Sequence, residues 1–185
     1  MERIMIDMDD VICENGFLTL VNDFLNTNYK KEDIKTYYIQ DVIPKEKYQE
    51  WTEFFNSKNV YEYVEFLPNT YDVMEKLSKK YELYICSSFI FRDNEEYSAK
   101  NLKNKFEWLY ENLPFISPNN YIFTTNKEIV NCQIKIDDKL SNLNGNAKIK
   151  MLFDSYHNKD ISKEELEKKN IIRVNGWKDI EKILL

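Results

Sequence analysis

Arg3-Ile4-Met5-Ile6-Asp7-Met8-Asp9-Asp10-Val11 is a short apolar run that stops abruptly in acids. A run of this length without alternation fits a strand buried on both faces of a parallel sheet, whose carboxyl end is where such sheets carry function. Residues 3–7 therefore predict a first strand, and Phe17, Leu20, Val21, Phe24 and Leu25 follow it at helical spacing. The pattern recurs outward along the chain. Strands are expected at residues 82–86, 121–123, 134–136, 150–153 and 171–174. One helix is expected from Asn69 to near Lys80, one is marked by Ala99, Leu102, Phe106 and Leu109, and a closing helix carries Trp177, Ile180 and Ile183 or Leu184. This alternation predicts an α/β fold, a mainly parallel sheet flanked by helices, with a ligand crevice at the strand ends.

The 185 residues suit one domain with a modest insertion, and 43% hydrophobic with 15% aromatic content fills a core that a disordered chain lacks. A net charge of −6, from 26 basic and 32 acidic residues with no basic run, argues against a nucleic acid polymer as partner. No stretch approaches the ~18 apolar residues of a membrane span, and Glu2, Arg3, Asp7, Asp9 and Asp10 stand where a secretory signal needs an apolar core. A soluble, cytoplasmic protein without a membrane partner is expected. Cys13, Cys86 and Cys132 are isolated and read as reduced thiols. His157 is the sole histidine, which excludes multi-histidine zinc sites; it reads as a surface residue, with Asp154, in the loop after the fifth strand.

Nine aromatics lie between Tyr37 and Phe66, twice the density of the whole chain. They fit a small helical subdomain with its own core, some of whose rings line a small-molecule pocket.

If the strands are parallel, Asp7 and Asp9, Ser87 and Ser88, Lys127, and Asp137 and Asp138 converge at one end of the sheet. Carboxylates gathered so closely repel one another unless a cation sits between them. All-oxygen ligation suits Mg²⁺, and a metal, a hydroxyl and a lysine together suggest phosphate chemistry.

These residues resemble the four motifs of haloacid dehalogenase-like phosphatases: Asp7-Met8-Asp9-Asp10-Val11, Ser87-Ser88 after Tyr84-Ile85-Cys86, Lys127, and Ile136-Asp137-Asp138. Within that superfamily the chain is similar to the 5′(3′)-deoxyribonucleotidases, through Ser57-Lys58-Asn59 leading to Leu67-Pro68, Leu152-Phe153-Asp154, and Arg173-Val174-Asn175-Gly176-Trp177. The resemblance implies a Mg²⁺-dependent phosphatase acting on a small nucleoside monophosphate, with Asp7 as nucleophile and Asp9 as the acid that protonates the leaving group and then activates water. Asp7, the backbone carbonyl of Asp9, and Asp137 would hold Mg²⁺, with Asp138 supporting; Ser87 and Lys127 would bind phosphate oxygens, and Ser88 would add a donor. Residues 1–14 and 67–185 correspond to a Rossmann-like core and residues 15–66 to a helical cap inserted after the first strand. Phe17, Trp51, Phe54 and Phe55 are its candidate substrate-binding rings.

Asp10, Phe89 and Lys139-Leu140 depart from the family pattern, where glycine, proline, and arginine followed by proline are common. Three other readings compete. A phosphatase for another small phosphate ester would share the motifs and differ in the cap. A phospho-receiver would place its phosphorylated aspartate on a middle strand, where this chain has Ser87-Ser88. A pseudo-phosphatase would lack one of the motif residues, all of which are present.

Overall fold

The computed structural model of the protein describes residues 1–91 and 94–185. Its main sheet has six strands, all parallel: β1 (Arg3–Ile6), β4 (Glu82–Ser87), β5 (Tyr121–Phe123), β6 (Ile134–Asp137), β7 (Ile149–Phe153) and β8 (Ile171–Val174). Their order is β5-β4-β1-β6-β7-β8. Strand β1 is central, with Ile6 level with Ile85 of β4 on one side and Ile136 of β6 on the other. The chain order reverses across β1, so the crevice at its carboxyl end is where an open α/β sheet binds its ligand. Ile4, Met5 and Ile6 are fully buried, as the unbroken apolar run requires.

The predicted helices form as α1 (Gly16–Leu25), α3 (Thr70–Ser78), α4 (Glu95–Asn112) and α6 (Trp177–Leu184). Two more lack a strong periodic signal: α2 (Tyr48–Ser57) and the one-and-a-half-turn α5 (Lys163–Lys168), which buries only Leu166. Helix α4 corrects the expected register. Ala99 and Phe106 are exposed and Leu102 is partly so, whereas Tyr97, Asn101, Lys105 and Leu109, spaced by four, form the buried stripe together with Ser98 and Asn104. The stripe thus joins the apolar core through Tyr97 and Leu109 and turns polar side chains, Lys105 among them, toward the strand ends.

After β1 the chain turns tightly: the Met8 carbonyl accepts from the amides of Val11, Ile12 and Cys13, and Asp10 adopts φ 58°. That left-handed conformation is the reason glycine is common there, and aspartate is among the residues that tolerate it. The turn delivers β2 (Cys13–Glu14), which pairs antiparallel with β3 (Glu65–Phe66). Helices α1 and α2 and the 3-10 turns Lys31–Asp33, Ile39–Val42, Lys45–Lys47 and Val60–Glu62 lie between these two short strands. Gly16 allows α1 to approach the last of them: a Cβ there would stand 2.6 Å from Val64 Cγ1 and 2.7 Å from the Val60 carbonyl. Among the described residues, no helix is long and apolar enough to cross a membrane.

Trp177 ties α6 to the turn beneath the strand ends. Its ring packs beside Phe153, with centroids 6.2 Å apart, and its Nε1 donates to the Val11 carbonyl at 2.8 Å. Trp177→Ala is expected to lower stability by about 3–5 kcal/mol through cavity formation, measured by urea unfolding; a loss below about 1 kcal/mol would show that the surrounding side chains collapse into the space.

Candidate active site

Asp7 is the first residue beyond β1, held in register by its amide, which donates to the Ile136 carbonyl at 3.0 Å. Asp137 ends the neighbouring β6. Between the two carboxylates lies the Lys127 ammonium, from the 3-10 turn Lys127–Ile129, 2.7 Å from Asp7 Oδ1 and 2.8 Å from Asp137 Oδ2. The lysine of β6, Lys135, is also fully buried and braces that turn by donating to the Lys127 carbonyl at 3.2 Å. Asp137 Oδ1 accepts from the Lys139 amide at 2.9 Å and from Asn142 Nδ2 at 3.0 Å, so both of its carboxylate oxygens are oriented by donors.

Burial, followed by repulsion from Asp137, raises the Asp7 carboxyl well above its ordinary value, although Lys127 opposes this. Burial works against the Lys127 ammonium, but Asp137 and Asp7 outweigh it and the net shift is upward. Asp138 is pushed up to about 6, mainly by burial and despite His157, whose Nε2 lies 2.6 Å from Asp138 Oδ2. Carboxylate oxygens of Asp7, Asp137 and Asp138 lie within 4.8 Å of one another. Lys127 pairs with only two of these three buried carboxylates, so the cluster has the oxygen donors and the unbalanced negative charge that suit a hard divalent cation.

His157 is therefore no surface residue: its side chain is 7% exposed and lies against Asp138 and the Tyr37 ring. Asp154 instead serves structure, paired with Arg173 at 2.9 Å and with Lys159. Arg173 also donates to Asn158 and to the Ile161 carbonyl, fixing the loop that carries His157.

Asp9 has two partners that its sequence neighbourhood does not suggest. Its Oδ1 accepts from Tyr61 Oη at 2.9 Å, and its Oδ2 pairs with Lys105 Nζ at 2.5 Å. Lys105, only 2% exposed on α4, also donates to Ser87 Oγ at 2.6 Å. Burial and the Asp9 charge push the Tyr61 phenol up, which keeps it a donor.

These groups floor a cavity of about 520 Å³, lined by Asp7, Asp9, Asp138, Lys105, Lys127 and Ser88 at its base. Phe17, Ile90 and Phe91 form a wall, and Tyr37, Tyr38, Ile39 and Gln40 form the opposite one. Of the expected residues, Ser87 and Asp137 stand fully buried behind this floor, and Ser88 and Asp138 face the cavity. Of the four expected rings only Phe17 lines it. Trp51 and Phe55 are buried, Phe54 packs on Phe24 and Trp51, and these three belong to the aromatic core behind Phe17. The wall that the sequence left unassigned is pinned by Tyr37. Lys139 Nζ lies 4.3 Å from its ring centroid, the His157 ring meets it edge-on at 4.8 Å, and its carbonyl accepts from Tyr156 Oη at 2.9 Å.

A parallel sheet whose central strand ends in this acid cluster is the haloacid dehalogenase-like fold. Two solved structures share it at full length: a haloacid dehalogenase-like hydrolase from Streptococcus pneumoniae (TM-score 0.56, 15% identity, 100% of this chain and 99% of that one) and one from Bacillus subtilis bound to magnesium (TM-score 0.52, 11% identity, 99% and 98%). More narrowly, residues 1–185 match the family described as 5′ nucleotidase, deoxy (pyrimidine), cytosolic type C protein, and the chain belongs to it. It is 30% identical over 192 residues to the 5′(3′)-deoxyribonucleotidase of Bacillus subtilis strain 168, covering 98% of each. The family is one of phosphoric monoester hydrolases.

Lys127→Met, which keeps the bulk and removes the charge, is expected to lower stability by about 3–5 kcal/mol in chelator at neutral pH, because buried carboxylates lose their counter-charge. Urea unfolding of the variant and parent checks this, and equal midpoints would mean that the carboxylates are neutralised without Lys127.

Proposed function

We propose that this protein is a Mg²⁺-dependent phosphatase of nucleoside monophosphates, deoxyribonucleotides among them, working through an aspartyl-phosphate intermediate. The observation that carries this reading is the pairing of Asp7 and Asp9 at the end of the central strand, facing a cavity with a charged floor and ring-bearing walls. Asp7 Oδ attacks phosphorus while the ester P–O bond breaks, and a proton from the Asp9 carboxyl passes to the departing alkoxide. Asp9, now a carboxylate, takes a proton from water as that water attacks the aspartyl-phosphate, breaking the P–O bond to Asp7 and freeing phosphate. Lys127 and Ser88 bind phosphate oxygens, and Tyr61 and Lys105 hold Asp9 in place from two sides. A Mg²⁺ ion held by Asp7, Asp137, the Asp9 carbonyl and, facing the cavity, Asp138 would supply charge neutralisation at the phosphoryl group. Residues 15–66 act as a cap whose 37–40 segment and Phe17 enclose the nucleoside.

Phosphate release from ribo- and deoxyribonucleoside monophosphates and from sugar phosphates, with and without Mg²⁺, tests this reading. Selective Mg²⁺-dependent release from nucleotides is expected, and Asp9→Asn is expected to lower kcat by about 10²- to 10⁴-fold. Preference for sugar phosphates would overturn the cap assignment, and unchanged turnover in the variant would remove Asp9 from its role.

Asp7 and Asp138 are raised above the ordinary carboxylate value of 3.8, so the folded state holds their protons longer than the unfolded chain does. Their contribution to stability is full below that value, and the Asp138 part is lost as pH rises through about 6, where that carboxyl ionises. A cation held by the ionised Asp138 carboxylate is therefore expected to raise the melting temperature little near pH 4 and clearly near about pH 7.5. An equal Mg²⁺ shift at both pH values would exclude the cluster as its site.

A further inference from the structure

The wall at residues 37–40 runs from the acid cluster to the rings. Tyr37 stands at the acid end, against Lys139 and the His157 that pairs with Asp138. Three residues on, at most about 11 Å of chain, Gln40 stands at the ring end. It shares two hollows with Phe17 and Phe91: the main cavity, and an adjoining recess of about 30 Å³. Phe17 and Phe91 are only partly buried and their centroids lie 5.7 Å apart, so they offer the cavity an apolar face beside a primary amide. Ile39 is buried in the core and anchors the 3-10 turn Ile39–Val42 that carries Gln40. Gln40 is itself partly exposed, and its side-chain amide has no hydrogen-bond partner among the described residues while its polar atoms stay open to solvent. The two other side-chain amides on the cavity are committed to the protein, Asn142 to Asp137 and Asn101 to the Phe89 carbonyl.

A primary amide carries a donor and an acceptor side by side. Resting on the nucleotidase reading above, we infer that the Gln40 amide hydrogen-bonds the edge of a nucleobase lying on Phe17 and Phe91, which makes Gln40 a specificity-determining residue. Uracil and thymine present an N3–H donor beside the O4 acceptor, and cytosine presents an N4–H donor beside the N3 acceptor. The two pairs are the same in opposite order, and half a rotation of the amide about its last bond matches either. The position therefore selects for a base edge over a bare sugar phosphate, and not for one pyrimidine over the other. Because the free amide is wetted, binding exchanges water for base, and the selectivity is that of an ordinary hydrogen bond rather than of a buried charge.

The test compares kcat/KM for 2′-deoxycytidine 5′-monophosphate and for its analogue with 2-pyrimidinone as base, in the parent protein and in Gln40→Leu. The analogue keeps the ring, the N3 acceptor and the sugar phosphate, and has hydrogen where cytosine has its 4-amino donor. The parent is expected to prefer the natural nucleotide by about 3- to 10-fold, the worth of one hydrogen bond. In the variant the ratio should fall to near unity, through a higher KM for the natural nucleotide. Equal kcat/KM for the two substrates in the parent overturns the inference without any variant, as does a preference that survives in a folded Gln40→Leu protein. Both results leave the nucleotidase reading standing, whereas absence of phosphate release from every nucleotide overturns the two together.

Discussion

One buried ammonium holds the centre of this molecule together. Lys127 lies between Asp7 and Asp137, the residues at the ends of two adjacent strands, and its own turn is braced by a second buried lysine, Lys135. Replacing the three charged groups with apolar ones would remove the desolvation cost, so stability alone gives no reason to keep them. What the arrangement secures is position. It fixes two carboxylates side by side at the ends of adjacent strands, β1 and β6, and leaves them short of positive charge. The Asp138–His157 pair and the loop stapled by Arg173 extend the same frame toward the cavity.

The strands are legible because each is a short apolar run closed by polar residues, and the seven motif positions lie at or just beyond where those runs stop. Asp7, Ser87, Ser88, Lys127, Asp137 and Asp138 need no tertiary information beyond parallel order to converge. Asp9 stands two residues past the first of them, and its partners are not legible in the sequence. Lys105 reads in sequence as one more solvated helix lysine among Lys100 and Lys103, and only the rotation of α4 in the fold turns it inward. The sign in the sequence was the four-residue spacing of Tyr97, Asn101, Lys105 and Leu109, which competes with a more conspicuous apolar stripe on the other side. The cavity wall at residues 37–40 escaped for a different reason: 3-10 turns have no periodicity strong enough to announce which ring faces inward. The three large rings of α2, Trp51, Phe54 and Phe55, stand out by bulk, and that bulk serves the aromatic core behind Phe17.

Two of the departures from the family pattern acquire physical meaning in the structure. Asp10 occupies a left-handed turn and pairs with Lys31, which also reaches Glu14, so the turn is tied to the segment that crosses the cavity rim. Lys139 lies over the Tyr37 ring and its amide holds Asp137, linking the acid pair to the opposite wall through a single residue.

The placement of β1 also governs how the chain must come together. In chain order β1 precedes the strands on both its sides, and its partners at Ile85 and Ile136 follow roughly 80 and 130 residues later. Until β4 and β6 arrive, Ile4, Met5 and Ile6 have no sheet to enter. The β1 segment is thus apolar and in waiting during synthesis, flanked by Glu2, Arg3, Asp7, Asp9 and Asp10. Those flanking charges act as gatekeepers, keeping that segment from pairing with neighbouring chains before its own sheet exists.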